Sequence, residues 1–217
     1  MTGRYAQIAF TPDVQRHQER HGSRGPYARM AEAAAPVPDP IGPDEAHFVG
    51  ERDSFYLATV SETGWPYIQH RGGPAGFLKV LDPHTLAFAD FRGNRQYISR
   101  GNLDHDDRVA LFLMDYANAA RMKVFGRARV VEATDDPDLM SRLAMPGYPA
   151  KVERAVLVDV EAYDWNCRQH IPQLFPRDAV EYTIRKLHDR VTELEARNAE
   201  LMAEVTELRR GGGQPTG

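Results

Sequence analysis

Between residues 54 and 165 the chain alternates short runs rich in aromatic and β-branched residues with brief stretches of Gly, Pro, Asp and Asn. "FYLATVS", "FLKVLD", "TLAFADF", "RVALFLMDY", "RMKVFGRARVVE" and "AVLVDVEAYDW" each read as a strand, and "ETGWP" reads as a turn. Parallel strands need long crossovers, usually helical, and few helices separate these runs. The pattern therefore predicts a mainly β (α+β) fold, a six-stranded antiparallel barrel with flanking helices. Two helices interrupt it. One starts near Asn94, and the other covers about 136–145, where Asp135 or Asp136 caps and Pro146-Gly147 stops.

The segments on either side differ in kind. Residues 1–50 read as a helical extension and connector: helices near 13–21 and 27–35, then "PVPDPIGPDE", whose prolines at 36, 38, 40 and 43 exclude helix and central strand. The barrel domain is expected over 51–178, a coiled coil over 179–210 and a flexible tail over 211–217. With Ile184 as position a of a heptad, the a residues are Ile184, Val191, Asn198 and Val205, and the d residues are Leu187, Leu194, Leu201 and Leu208. β-Branched residues at a with Leu at d favour a parallel two-stranded coil, and a single Asn at a fixes register and dimeric state. Arg190 and Glu204 at g face Glu195 and Arg209 at e of a second chain, both attractive pairings. A homodimer follows as the expectation. A DNA-binding basic zipper does not, because "DWNCRQHIPQLFPRDAVEY" precedes the heptads with two prolines and little positive charge.

Composition narrows the functional classes. A net charge of -4 argues against a broad nucleic-acid surface. No stretch approaches the roughly 18 apolar residues of a membrane span, and no secretory h-region opens the chain. The single cysteine, Cys167, cannot form an internal disulfide. A cytoplasmic location is expected. His17 and His21 stand four apart in "HQERH" but lack the Glu of a zinc helix and a third ligand, so metal binding is not expected. Cys167 beside Asn166 and His170 has no oriented base and reads as a structural residue.

Three stretches point to chemistry: "QHRGGPAGFLK", "DFRGNRQYISRGN" and "DWNCRQH". In the first, Gly72, Gly73 and Gly76 permit close backbone approach to a ligand, with Arg71 and Lys79 supplying positive charge at the two ends of the loop. In the second, Asn94 is the expected cap of a helix whose first turn carries Arg95 and Gln96, with Ser99 on the same face. Free N–H groups at such a helix start favour an anion, and Arg95 adds a bidentate phosphate contact.

Together these stretches are recognisable. Residues 54–132 resemble the FMN-binding split-barrel proteins of the pyridoxamine 5'-phosphate oxidase superfamily. "DSFYLATVSETGWPYIQHRGGPAGFLKVLD", "GNRQYISRGNL" and "DWNCRQHI" are similar to a bacterial subgroup of predicted flavin-nucleotide-binding proteins. The resemblance implies a Greek-key split barrel with FMN at a homodimer interface, so the dimer is expected to form through the barrel as well as through the zipper read from the heptads. It implies that Lys79 and Arg95 hold the phosphate, with Gln96 in the place of a common Lys, and that Ala89 and Asp90 pass the ribityl chain. Met122 stands where a Gln usually contacts the flavin, and Trp165 and Asn166 resemble a late Trp that packs on it. The superfamily's true oxidases end in a strand bearing a substrate-gripping Arg motif, and this chain ends in a zipper, so pyridoxamine phosphate oxidation is not expected.

The leading expectation is an FMN-dependent oxidoreductase acting on a small molecule. Arg71 or Arg121 would stabilise reduced flavin and His70 would donate a proton. Two alternatives are a flavin-binding or carrier module without turnover and an F420-dependent reductase on the same barrel.

Overall fold

In strand β1 (Ser54–Val60) of the computed structural model, Phe55, Leu57 and Thr59 are buried while Tyr56 is exposed. That is the period-2 signature of a strand with one face on a core. The model describes residues 1–165 and 169–211. After β1 come β2 (Pro66–Gly72), β3 (Leu78–Asp82), β4 (Thr85–Phe91), β5 (Arg108–Asp115), β6 (Ala120–Glu132) and β7 (Val152–Trp165). They form one sheet in the order β2-β1-β5-β6-β7-β4-β3, and every neighbouring pair is antiparallel.

The expected architecture is present with seven strands where six were read. The extra one is β2, "PYIQHRG", whose residues alternate between exposed and half-buried and which contains no apolar run. Its pairing with β1, from Ser54↔Gly72 to Val60↔Pro66, makes it a strand. Its place at the sheet edge tolerates Pro66, which has no N–H to give a ladder.

The core lies between the curled halves of this sheet. Phe55 stacks on Phe77 at 5.7 Å and meets Phe88 edge-on at 5.1 Å, ringed by Leu57, Leu78, Leu86, Leu111, Leu113 and Val124. A smaller cluster on the other face of β4 joins Ala87 and Ala89 to Leu139 and Leu143. The last two belong to α6 (Pro137–Leu143), capped as expected by Asp136, whose side chain accepts from the Leu139 N–H at 2.9 Å.

Four helices precede the sheet: α1 (Gly3–Ala9), α2 (Pro12–Arg20), α3 (Arg24–Ala33) and α4 (Pro43–Gly50). Helix α1 lies on the barrel, with Tyr5 stacked on Phe125 at 4.7 Å and the Thr2 hydroxyl donating to the Tyr163 carbonyl at 2.8 Å. Helix α4 begins inside the Pro-rich connector, where Pro43 at its start and a Glu45 carboxylate accepting from the Gly42 N–H supply the start signals. Helix α5 (Ile98–His105) lies between β4 and β5. It starts later than expected: Tyr97 is its N-cap, and Asn94, Arg95 and Gln96 belong to the preceding loop. The Asn94 carboxamide is used within that loop, accepting from the Gln96 N–H at 3.1 Å, so it closes a local turn and caps no helix. From Gln173 the chain forms a second unit, built on the 35-residue helix α7 (Arg177–Gly211) at the position read as heptads.

Just ahead of β1, Arg52 and Asp115 form a buried pair at 3.1 Å. The other donors of Arg52 reach the Phe48 and Met114 carbonyls, and Asn118 donates twice to Asp115, so the pair is fully hydrogen-bonded. Burial alone raises the Asp115 pKa, but the Asn118 and Arg52 contacts outweigh it and hold the carboxyl below its usual 3.8. A depressed carboxylate contributes stability above its unfolded pKa and loses it as pH falls through the folded one. Urea unfolding of Asp115→Asn is expected to show lower stability at neutral pH and a flatter decline below about pH 4 than the parent. Gly126 sits at a register shift between β6 and β7, where an added Cβ would lie 2.6 Å from a Val158 methyl and 2.7 Å from the Asp159 carbonyl oxygen. Gly126→Ala should therefore lower the unfolding free energy by about 1–3 kcal/mol in the same assay.

Candidate functional site

Alternation along β2 sends Tyr67, Gln69 and Arg71 to one side and Pro66, Ile68 and His70 to the other. On the far side of the barrel Asp90 of β4 and Arg154 of β7 are register partners, so their side chains leave the sheet together. Arg71 reaches across to Asp90 at 2.5 Å, linking edge strand β2 to a strand with which it shares no ladder. Arg154 lies 3.8 Å from the second Asp90 oxygen, so one carboxylate serves two guanidinium groups.

The loop between β4 and α5 closes over this pair. Arg95 and Tyr97 both take left-handed conformations, with φ of 62° and 54°, unusual for residues with side chains. The Tyr97 ring covers the Arg154 guanidinium at 5.1 Å, while the Tyr97 hydroxyl accepts from Arg95 Nε at 3.4 Å and raises the Arg95 pKa further. Below, the buried Ser99 hydroxyl donates to Gln69 Oε1 at 2.7 Å, and the Asn102 amide donates to the Thr59 hydroxyl at 2.9 Å, fastening α5 to β1 and β2.

These elements enclose a cleft of about 150 Å³. Its lining includes Arg71, Arg95, Arg100 and Arg154 against Asp90 and Glu153, and Glu132 and Asp104 pair from beside it with Arg154 and Arg100. Arg71 Nε and the Nε and Nη1 groups of Arg154 are buried without a hydrogen bond, the latter two facing Glu132 at 3.5 Å and Asp90 at 3.8 Å. Unsatisfied buried donors are costly, about 1–3 kcal/mol each and more when charged. The arrangement suits a small anion that supplies several acceptors at once.

Of the residues singled out from sequence, the cleft brings together Arg71, Asp90, Asn94, Arg95, Gln96 and Ser99. Ser99 stands in the first turn of α5, below Gln69, and does not share a helical face with Arg95. The others lie elsewhere. Lys79 pairs with Ala87 between the core residues Leu78 and Val80, so alternation turns it toward the opposite face of β4, and Ala89 packs on that face with Leu139. Met122 is fully buried in the barrel core. Arg121 pairs with Met114 on the outward side, 6.0 Å from the Phe112 ring. Trp165 donates to Glu45 at 2.9 Å and meets Phe48 edge-on. Asn166 and Cys167 lie outside the described residues.

His70 points away from the Arg71 cleft, edge-on to Tyr56 at 5.7 Å. The glycine loop has a packing explanation: a Cβ on Gly73 would lie 2.8 Å from the Phe77 ring, and Gly76 holds φ at 83°. Neither glycine lines the cleft.

Sequence reasoning missed Tyr97, Arg100, Glu153 and above all Arg154. The signal for Arg154 was available: in "VERAVLVDV" it is a charge that leads directly into the apolar run Ala155 to Val158 of a strand.

Comparison with known proteins places the chain in a family. The model of the family described as pyridoxamine 5'-phosphate oxidase matches residues 43–190, and the chain belongs to that family. Among solved structures it is similar to an FMN-binding protein from Syntrophomonas wolfei, 12% identical with a TM-score of 0.45, covering 57% of this chain and 85% of that one. It is similar also to a protein related to general stress protein 26 from Clostridium acetobutylicum, 14% identical with a TM-score of 0.43, covering 63% and 94%. An F420 reductase is 21% identical with a TM-score of 0.41, covering 57% and 98%. No curated protein matches the chain.

Because Asp90 neutralises both Arg71 and Arg154, Asp90→Asn is expected to lower stability by about 1–3 kcal/mol in denaturant titrations at low salt, with added sulfate or phosphate recovering part of the loss.

Proposed function

We propose that the chain is an FMN-dependent oxidoreductase that works as a homodimer and holds the flavin's phosphate in the Arg71–Arg154 cleft. One observation carries this reading: four arginines line a small cleft in which buried guanidinium N–H groups on Arg71 and Arg154 make no hydrogen bond. A phosphate monoester carries about -1.5 to -2 at pH 7 and three strong acceptor oxygens, which suits these donors. The alternative cofactor F420 bears its phosphate as a diester with a longer anionic tail, a poorer match to a compact dibasic cleft.

In this reading Arg71 and Arg154 grip the phosphate, oriented by their shared carboxylate on Asp90. Arg95 adds a solvent-facing cation at the rim, and Tyr97 stacks on Arg154 and limits its rotation. Lys79 drops out of the phosphate set because it faces the other side of β4. When bound, FMN supplies the electron chemistry, and the surrounding protein holds and tunes it.

A cleft of about 150 Å³ accepts the phosphate end and leaves the flavin ring to lie outside it. Apart from Arg108 at the start of β5, the outward positions of β1 and β5 include Tyr56, Ala58, Val60, Ala110, Phe112 and Met114, all uncharged. An apolar outer face of this kind suits a second barrel. His70 stands at its edge beside Tyr56, where it serves as the proton donor of this reading.

The visible spectrum of the purified protein, with identification of what denaturation releases, tests the cofactor. Released FMN is the expected result, whereas a colourless protein that takes up no added FMN would overturn the reading. Removing one charge-assisted phosphate contact, worth about 1.5–3 kcal/mol, should weaken FMN binding in Arg154→Ala roughly 10- to 100-fold, measured by flavin fluorescence quenching.

A further inference from the structure

Helix α7 carries its apolar residues in the open. Ile184, Leu187 and Leu208 are 60%, 61% and 69% exposed, and Val191, Leu194, Leu201 and Val205 are also exposed. These residues lie on one stripe and recur every three and four positions. An apolar stripe of this length on a helix needs a partner surface to cover it.

We propose that the partner is α7 of a second copy, in a parallel, in-register two-stranded coil. The charges select this arrangement. Arg190 and Arg197 have partners within the helix, Glu193 at 2.6 Å and Glu200 at 2.9 Å. Glu195, Glu204 and Arg209 have no ion pair among the described residues. A parallel pairing sets Glu195 beside Arg190 of the other copy and Glu204 beside its Arg209, so all three gain opposite charges. An antiparallel pairing over the same layers keeps Arg190 opposite Glu204 but brings Arg197 against Arg197 and Glu195 against Glu195, two like-charge contacts that the parallel coil avoids.

Asn198 discriminates in the same direction. At position a of a parallel coil its carboxamide meets its own counterpart, and the two amides satisfy each other. In the antiparallel arrangement it faces Leu194 and loses that partner, leaving a polar group desolvated without compensation. The a and d residues fit two strands: β-branched Ile184, Val191 and Val205 at a, leucine at every d. The proposal is independent of the flavin reading, because a coil forms through α7 whatever the cleft binds.

Disulfide trapping in the full-length chain decides it. Cys167→Ser removes the only native thiol, and Leu187→Cys then places a thiol at a d position near the start of the stripe. In the parallel coil this variant should oxidise to a covalent dimer on a non-reducing gel, while Glu193→Cys, facing away from the seam, stays monomeric. Leu187→Cys remaining monomeric overturns the parallel coil, and equal cross-linking of the two variants shows collision and overturns it as well. A dimer held only through the barrels would sediment as a dimer without forming the L187C bond. Independently, Glu195→Arg should weaken the association measured by sedimentation about tenfold. Adding Arg190→Glu to the same chain should restore it, and failure to restore overturns the g-to-e pairing.

Discussion

The double pairing of β7 holds the rest of the architecture in place. Over its 14 residues it ladders on one side with β4 and on the other with β6, so it joins the β3-β4 hairpin to the β1-β2-β5-β6 half of the sheet. Without it the chain would hold two separate small sheets. The same register sets Arg154 opposite Asp90, which makes the cleft a by-product of the strand pairing that closes the core. Arg71 then reaches from the far edge to the same carboxylate, so electrostatics bridges the one gap that backbone hydrogen bonds leave open.

Four arginines around a small cleft would repel one another and be hard to hold, and the acidic residues show how the fold manages this. Asp90 sits between the two deepest cations, Glu132 contacts both Arg154 and Arg100, and Glu153 lies near Arg92 and Arg154. Compensation still leaves unused donors at the cleft. The left-handed Arg95 and Tyr97 fit the same picture, since backbone strain persists where surrounding contacts over-determine it. Here those contacts are the Tyr97–Arg154 stack and the bonds of Ser99 and Asn102 beneath the loop.

Much of the scaffold was legible because its signals are local. Alternating runs such as "RVALFLMDY" declare strands, Asp136 declares a helix start, and the heptads declare α7. The failures have physical causes. β2 is a strand by virtue of its partner, with no apolar run of its own. Asn94 carries a cap residue's chemistry but closes a turn four residues before α5 begins. Helix α4 was hidden because a proline-rich stretch reads as extended, although Pro43 and Glu45 mark a start. At the site, Arg71, Asp90 and Arg95 were recognisable from their loops, whereas Lys79 and Ala89 were misplaced for want of strand phase. Arg154 escaped because its role depends on pairing across nearly the whole length of the barrel sequence.

Strand β7 also contains a change of phase. Phe125 pairs with Ala162 but the next residue, Gly126, pairs with Val160, leaving Glu161 as an extra residue in β7. Before it, Val156, Val158 and Val160 face the core; after it, Tyr163 and Trp165 do. One residue thus converts even-numbered inward positions into odd-numbered ones. The bulge is consequently what keeps Tyr163 and Trp165 on the core side. Straightening the strand there with Glu161 retained would leave every side chain chemically intact yet turn Asp164 inward and Trp165 outward, exchanging a charge for an indole across the sheet.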